Sequence, residues 1–172
     1  MYLLGTLEDA DIEWLGANGT VQRLTPGQML VREGHAIESL FVVLDGQLAV
    51  TAGGAQVATL WAGEVVGEIS FIDSRLPMAT VLAVDTARVL AVRRDVLQDK
   101  LNRDLRFAAN FYRAIAIFLA DRLRTTTSRL AYGRPEQDAV PAAADELGDD
   151  LMEMVSRGTQ RFDNLLRRVR NG

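Results

Sequence analysis

The segment GEVVGEISFIDSRLPMATV, Gly63 to Val81, carries the reading of this chain. A glycine and a glutamate, Gly67 and Glu68, open what the pattern predicts as a single helical turn through Ile72. A Thr-Val pair, Thr80 and Val81, closes the segment on a strand. Gly67 lets the backbone approach a ligand closely. The first amides of a helix have no partner of their own and point together, so such a turn is suited to holding an anion, phosphate above all. Glu68 stands at its mouth, where an ionised carboxylate acts only as an acceptor and suits sugar hydroxyls.

On both sides of this segment the texture from about 20 to 93 is β. Glycines at 27, 34, 46, 53, 54, 63 and 67 separate short apolar runs such as SLFVVLDGQLAVT and AQVATLW. Closely spaced short strands divided by turn residues predict an antiparallel sandwich or barrel. Eight are expected, near 20–24, 28–32, 39–44, 47–52, 55–61, 64–66, 78–84 and 87–92. Eight strands closing on themselves make a jelly-roll-like barrel. Three hairpins are expected: LDGQL, where Asp45-Gly46 supplies the positive φ of a tight turn, TAGGAQ, and AVDTARVLAVRR, turning near Asp85-Thr86.

Helical periodicity flanks the barrel. Leu7, Ala10, Ile12, Leu15 and Ala17 predict an amphipathic helix over 7–18, started by Thr6. RDVLQDKL predicts a short helix after Arg93, and a long one runs from Asp104 to about Leu130. On that helix Leu105, Ala108, Phe111, Ile115, Phe118, Leu119, Arg122 and Leu123 lie near one face. Between Ala114 and Ala120 it is apolar nearly all round, more than one contact with a barrel needs, so a second copy of the chain is its expected partner. Gly133, Pro135 and Pro141 then predict a flexible linker over 132–145. Apolar residues from Leu147 to Val169 recur at spacings of three and four and predict an amphipathic helix within 146–172. Its acidic start and arginine-rich end agree with the helix dipole. The fold class is thus mostly β with flanking helices: residues 1–131 as one unit, a linker, and a C-terminal helix.

Composition narrows the function. There is no cysteine among the 172 residues, which removes disulfides, thiolate zinc sites and thiol catalysis. The net charge of −4 argues against nucleic acid as the main partner. No apolar run approaches the roughly 20 residues that span a bilayer, and MYLLGTLEDADIEW lacks the basic start of a secretory signal, so a cytoplasmic protein is expected. His35, the only histidine, has no ligand set around it, and no metal site or catalytic constellation is expected.

LTPGQMLVREG, LFVVLDGQLAV, GEVVGEISFID and MATV together resemble the cyclic nucleotide-binding domain family, which includes the catabolite activator protein and regulatory subunits of cyclic-AMP-dependent kinase. The resemblance covers about residues 5–130. It implies a phosphate-binding cassette at the opening segment. Gly67 and Glu68 match the pair that holds the ribose, Ile69 and Ser70 the residues whose amides face the phosphate, and Ala79, Thr80 and Val81 the following strand, with Thr80 at the position that touches the base. The family's arginine that pairs with the cyclic phosphate falls on Pro77, which has neither charge nor N–H. A charge-assisted hydrogen bond is worth about 1.5–3 kcal/mol, so its loss should weaken phosphate binding by roughly one to several powers of ten.

SFIDSRLPMATV better resembles a bacterial variant, SFxDxRPPSATV, whose ligand need not be cyclic AMP; Arg75 could there reach over the same phosphate, or remain an exposed loop charge. The candidate ligand site is Gly67, Glu68, Ile69, Ser70, Arg75, Met78, Ala79 and Thr80, and the implied ligand cyclic AMP, cyclic GMP or a cyclic dinucleotide. Transcription factors of this family carry a winged helix-turn-helix after the long helix. The roughly 40 residues following Leu130 hold a linker and one helix, so DNA binding is not expected. Two readings stay open. One is a homodimeric, non-enzymatic sensor, dimerised through about 104–130, that passes ligand state to a protein partner through 146–170. The other is an adaptor that kept the barrel, lost the ligand, and uses the tail to bury Leu151, Phe162 and Leu166 against another protein or its own barrel.

Overall fold

The computed structural model describes residues 2–132 and 149–170. Two short helices, α1 (Tyr2–Thr6) and α2 (Asp9–Asn18), precede the strands β1 (Gly19–Leu24), β2 (Met29–Val31), β3 (Ser39–Asp45), β4 (Leu48–Ala52), β5 (Ala55–Leu60) and β6 (Val65–Val66). Then come α3 (Glu68–Asp73), β7 (Thr80–Ala83), β8 (Ala87–Arg93), α4 (Arg94–Arg103), α5 (Leu105–Tyr132) and α6 (Asp149–Arg170). The expected linker over 132–145 lies, apart from Tyr132, outside the described residues.

The eight strands form two antiparallel four-stranded sheets, ordered β1-β8-β3-β6 and β2-β7-β4-β5, in the jelly-roll arrangement the sequence predicts. β3 is central because it is apolar on both sides. Phe41 and Val43 enter the core between the sheets, while Leu40, Val42 and Leu44 face the helices. That double duty explains why SLFVVLD is a continuous apolar run instead of an alternating one.

Of the three expected hairpins, only TAGGAQ joins neighbouring strands, with Ala52 opposite Ala55 between β4 and β5. The turns at Asp45-Gly46 and Asp85-Thr86 carry the chain from one sheet to the other, since β3 pairs with β6 and β8 while β4 pairs with β5 and β7. These two crossovers stack. Gln47 N–H donates to Asp85 Oδ1 at 2.8 Å, Val84 N–H to Gln47 O at 2.9 Å, and Arg88 pairs with Asp45. Gly46, at φ 78°, sits so close that a Cβ would lie 2.6 Å from Ala87. A tight turn and a tight crossover need the same residue, so the local signal cannot separate them.

The N-terminal helix also differs from expectation. Instead of one helix over 7–18 started by Thr6, the chain breaks at Leu7 and restarts with Glu8 as cap, its N–H bonded to the Asp11 carboxylate at 3.0 Å. The break lets both Leu4 and Leu7 enter the core, where each is fully buried. The long helix begins where expected, capped by Asp104, whose carboxylate accepts Phe107 N–H at 2.9 Å. Phe107, Phe111, Ala114 and Ile115 are its buried face.

α6 docks on its own chain. Phe162 and Leu165 are buried in the cluster that contains Leu4, Leu7, Ile12 and Leu15. Arg161 reaches the junction between α1 and α2, pairing with Asp9 at 2.7 Å and donating to Gly5 O at 3.1 Å. Gly16 permits the close approach: a Cβ there would lie 3.1 Å from Arg168 Cδ. Leu166 packs against the same cluster, and the side chain of Leu151 is outside the described residues. The surface it covers is the N-terminal helix pair, where the sequence reading allowed a partner protein or the barrel.

Candidate functional site

β6 ends at Val66, and Gly67 turns the chain into α3 at φ 93°, a left-handed conformation that favours glycine. A Cβ at Gly67 would lie 2.8 Å from Ile37 Cδ1 and 3.3 Å from Ser39 O. The close approach that requires glycine is therefore one the protein makes to itself. The first intrahelical bond of α3 runs from Phe71 N–H to Gly67 O at 3.0 Å, so the amides of Ile69 and Ser70 precede it. The turn ends at Ser74, at φ 59°, whose N–H bonds to Ser70 O at 3.1 Å.

Between α3, the loop after it and the inner faces of the sheets lies a cavity of about 220 Å³. Val31, Val50, Leu60, Val66 and Val81 form its barrel wall, and Gly67, Glu68, Ile69, Ser70, Arg75, Met78 and Ala79 also line it, with Pro77. Seven of the eight residues expected from the sequence are thus brought together. Thr80 is not among the lining residues: its hydroxyl accepts Glu33 N–H at 3.1 Å, and its carbonyl accepts the Thr51 hydroxyl at 3.5 Å, so its side chain ties β7 to the neighbouring loop. Gly34 N–H holds the same rim through Pro77 O at 2.9 Å.

The charges are arranged in pairs. Arg75 is 81% exposed and bends back along its own loop to Asp73, Nε to Oδ2 at 3.2 Å. Glu68 is 3% exposed and accepts from Arg122 Nη1 of α5 at 2.9 Å. Burial pushes the Glu68 carboxyl above its ordinary range, and the Arg122 guanidinium, with backbone N–H groups of Glu68 and Gly67, pulls in the opposite direction. Arg122 is the site residue that sequence reasoning missed. The sequence groups this arginine with apolar residues near one face of the long helix, and a lone cation in such company is itself the signal of a buried partner. The guanidinium also lies over the Phe118 ring, 5.4 Å from its centroid.

A second link joins the same two helices. Phe71 of α3 meets Phe111 of α5 edge to face with centroids 5.7 Å apart, and the Arg94 guanidinium of α4 lies over the Phe71 ring at 5.2 Å. The short helix that borders the cavity is thereby fixed to α5 at two points, one apolar and one ionic.

Residues 21–104 match the family model described as the cyclic nucleotide-binding domain. A cGMP-dependent protein kinase of Caenorhabditis briggsae is 33% identical over 76 residues, 44% of this chain and 10% of the kinase, so the chain spans a tenth of that relative's length. The N-terminal domain of a transcriptional regulator from Streptomyces coelicolor is 28% identical, with a TM-score of 0.59 over 74% of this chain and 90% of that one. A cyclic nucleotide-binding domain from Methylobacillus flagellatus, at 20% identity, superposes with a TM-score of 0.69 over 75% of each chain and shares the fold.

The buried carboxyl gives a pH dependence with a definite sign. A carboxyl raised by burial above its ordinary 4.5 contributes stability that is complete below that value. The contribution is lost as pH rises through the raised native value, because the unfolded state gives up its proton first. In urea unfolding followed from pH 4 to neutrality, the native chain should therefore lose stability relative to Glu68→Gln. A difference that stays flat, or grows with pH, would show that burial does not dominate at Glu68.

Proposed function

We propose that this chain, whose residues 21–104 form a domain of the cyclic nucleotide-binding family, is a non-enzymatic regulatory module in which occupancy of the α3 cavity is read by α5. The observation that carries this reading is the Glu68–Arg122 pair, which ties the wall of the cavity to the long helix at 2.9 Å. A ligand that shifts α3 must either drag Arg122 with it or break the pair, and both outcomes change how α5 packs. Such a ligand acts by favouring one of two arrangements, and only to the extent of its different affinity for them.

The same helix supplies the proposed homodimer. On α5, Leu105, Ala109, Tyr112, Ala116, Ala120 and Leu123 are exposed and recur at spacings of three and four, an apolar stripe opposite the face that holds Phe107 and Phe111; Leu105 and Leu123, which the sequence reading groups with Phe111, stand on this stripe. Packing two such stripes together would bring two cavities under the control of one interface. No described helix is long and apolar enough to cross a membrane, and a cytoplasmic setting is proposed with the rest. Residues 1–131 would act as the sensing unit and the C-terminal helix as a brace on its first two helices. An adaptor that captures a partner through 146–170 has less support, because Phe162 and Leu165 of that helix are already buried in the chain's own core.

Hydrogen exchange tests the coupling. Arg122→Ala, a change 54 residues away in sequence, should speed amide exchange across 68–73 while β8 keeps its protection; unchanged exchange in 68–73 would remove the support for a link. Sedimentation equilibrium tests the dimer: two chains associate in the native protein, and Ala116→Arg should leave them as single chains. A native protein that sediments as one chain would rule the dimer out.

A further inference from the structure

Every charge that lines the cavity is already answered by another. Among the described residues these charges are Glu68, Asp73, Arg75 and Arg122, two of each sign. Glu68 is held by Arg122 at 2.9 Å and Asp73 by Arg75 at 3.2 Å. An anion placed on the amides of Ile69 and Ser70 would find no unpaired cation, and would meet Asp73 as a like charge. To recruit Arg75 it must displace a solvent-exposed pair with Asp73, a small cost; to recruit Arg122 it must strip the partner from a carboxylate that is almost fully buried.

The remainder of the lining is apolar. The barrel wall is valine and leucine, and the rim adds Ile69, Leu76, Pro77 and Met78, with Met78 74% exposed to solvent. Large apolar side chains left exposed around an apolar cavity favour an occupant that covers them, since the removal of such surface from water is favourable in itself. Pro77 stands at the rim with no donor of its own.

We infer that the cavity takes a neutral, predominantly apolar small molecule in place of a cyclic phosphate. The inference rests on the reading of this cavity as the regulatory ligand site and names the class of ligand that site accepts. A molecule of this kind leaves both ion pairs intact, so it presses on α3 and reaches α5 through the intact Glu68–Arg122 link. A phosphate, by contrast, would find both guanidinium groups at the cavity already paired, Arg122 with a buried carboxylate.

N-phenyl-1-naphthylamine, a neutral apolar probe that brightens on leaving water, tests this with the full chain. It should bind saturably, one per chain. Binding should weaken at least about tenfold in Ala79→Phe, which fills the cavity, and in Met78→Glu, a change at a rim position exposed to solvent. Cyclic AMP, cyclic GMP and cyclic di-GMP at roughly hundredfold excess over the probe should leave it in place. Pro77→Arg should make at least one of them a competitor. Displacement from the native chain by any of the three would overturn the apolar assignment and leave the regulatory cavity standing. Absence of saturable binding by probe and nucleotides alike would overturn both, and probe binding that neither Ala79→Phe nor Met78→Glu weakens would place the probe elsewhere and refute the inference.

Discussion

A carboxylate buried as deeply as Glu68 is costly unless a cation meets it, and here that cation comes from a helix 54 residues further along the chain. The position of α5 along the barrel is constrained by this requirement, because Arg122 must arrive within hydrogen-bonding distance of the α3 turn. Phe71 and Phe111 add an apolar contact between the same two helices, so the placement is fixed at two points. With α5 placed, Phe107 and Phe111 complete the core against α1, α2 and α4, and α6 closes the far side with Phe162 and Leu165. The cavity borders the one helical turn that this network holds.

The electrostatic consequence runs into ligand choice. An anionic ligand that drew on Arg122 would disturb the ion pair that fastens α3 to α5. Arg75, the other guanidinium at the cavity, is 81% exposed and turned back along its own loop to Asp73. On the proposed reading the site is an apolar recess whose four charges are paired, and binding energy would come from apolar surface removed from water. Transmission and recognition are separated: the barrel wall and rim would recognise, and the Glu68–Arg122 pair would transmit.

Much of this was readable from the residues. Turn glycines and apolar runs locate all eight strands to within about two residues, boundary precision ordinary for such readings, and GEISFI marks the turn beside the cavity. What was not readable follows from geometry that sequence does not encode locally. Asp45-Gly46 looks the same whether it joins paired strands or carries the chain between sheets, and the difference lies in Ala87 and Asp85 some 40 positions away. Gly67 signals a close approach without saying to what, and Ile37 turns out to be the neighbour. Thr80 satisfies a backbone donor at Glu33, a partner that only the folded loop supplies. The docking of α6 on α1 and α2 was undecidable because an amphipathic helix specifies an apolar neighbour without identifying it. Arg122 was visible all along as a cation among apolar side chains, and its meaning depended on knowing that Glu68 would be buried.

A double-mutant cycle at neutral pH, with Glu68→Gln, Arg122→Gln and the double variant unfolded in urea, measures the central pair directly. If the cavity turn and the long helix are joined through these two side chains, the double variant should depart from additivity by about 1 kcal/mol or more. Effects that add to within about 0.5 kcal/mol would mean that Glu68 and Arg122 are neighbours without being coupled, and that the cavity has no ionic link to α5.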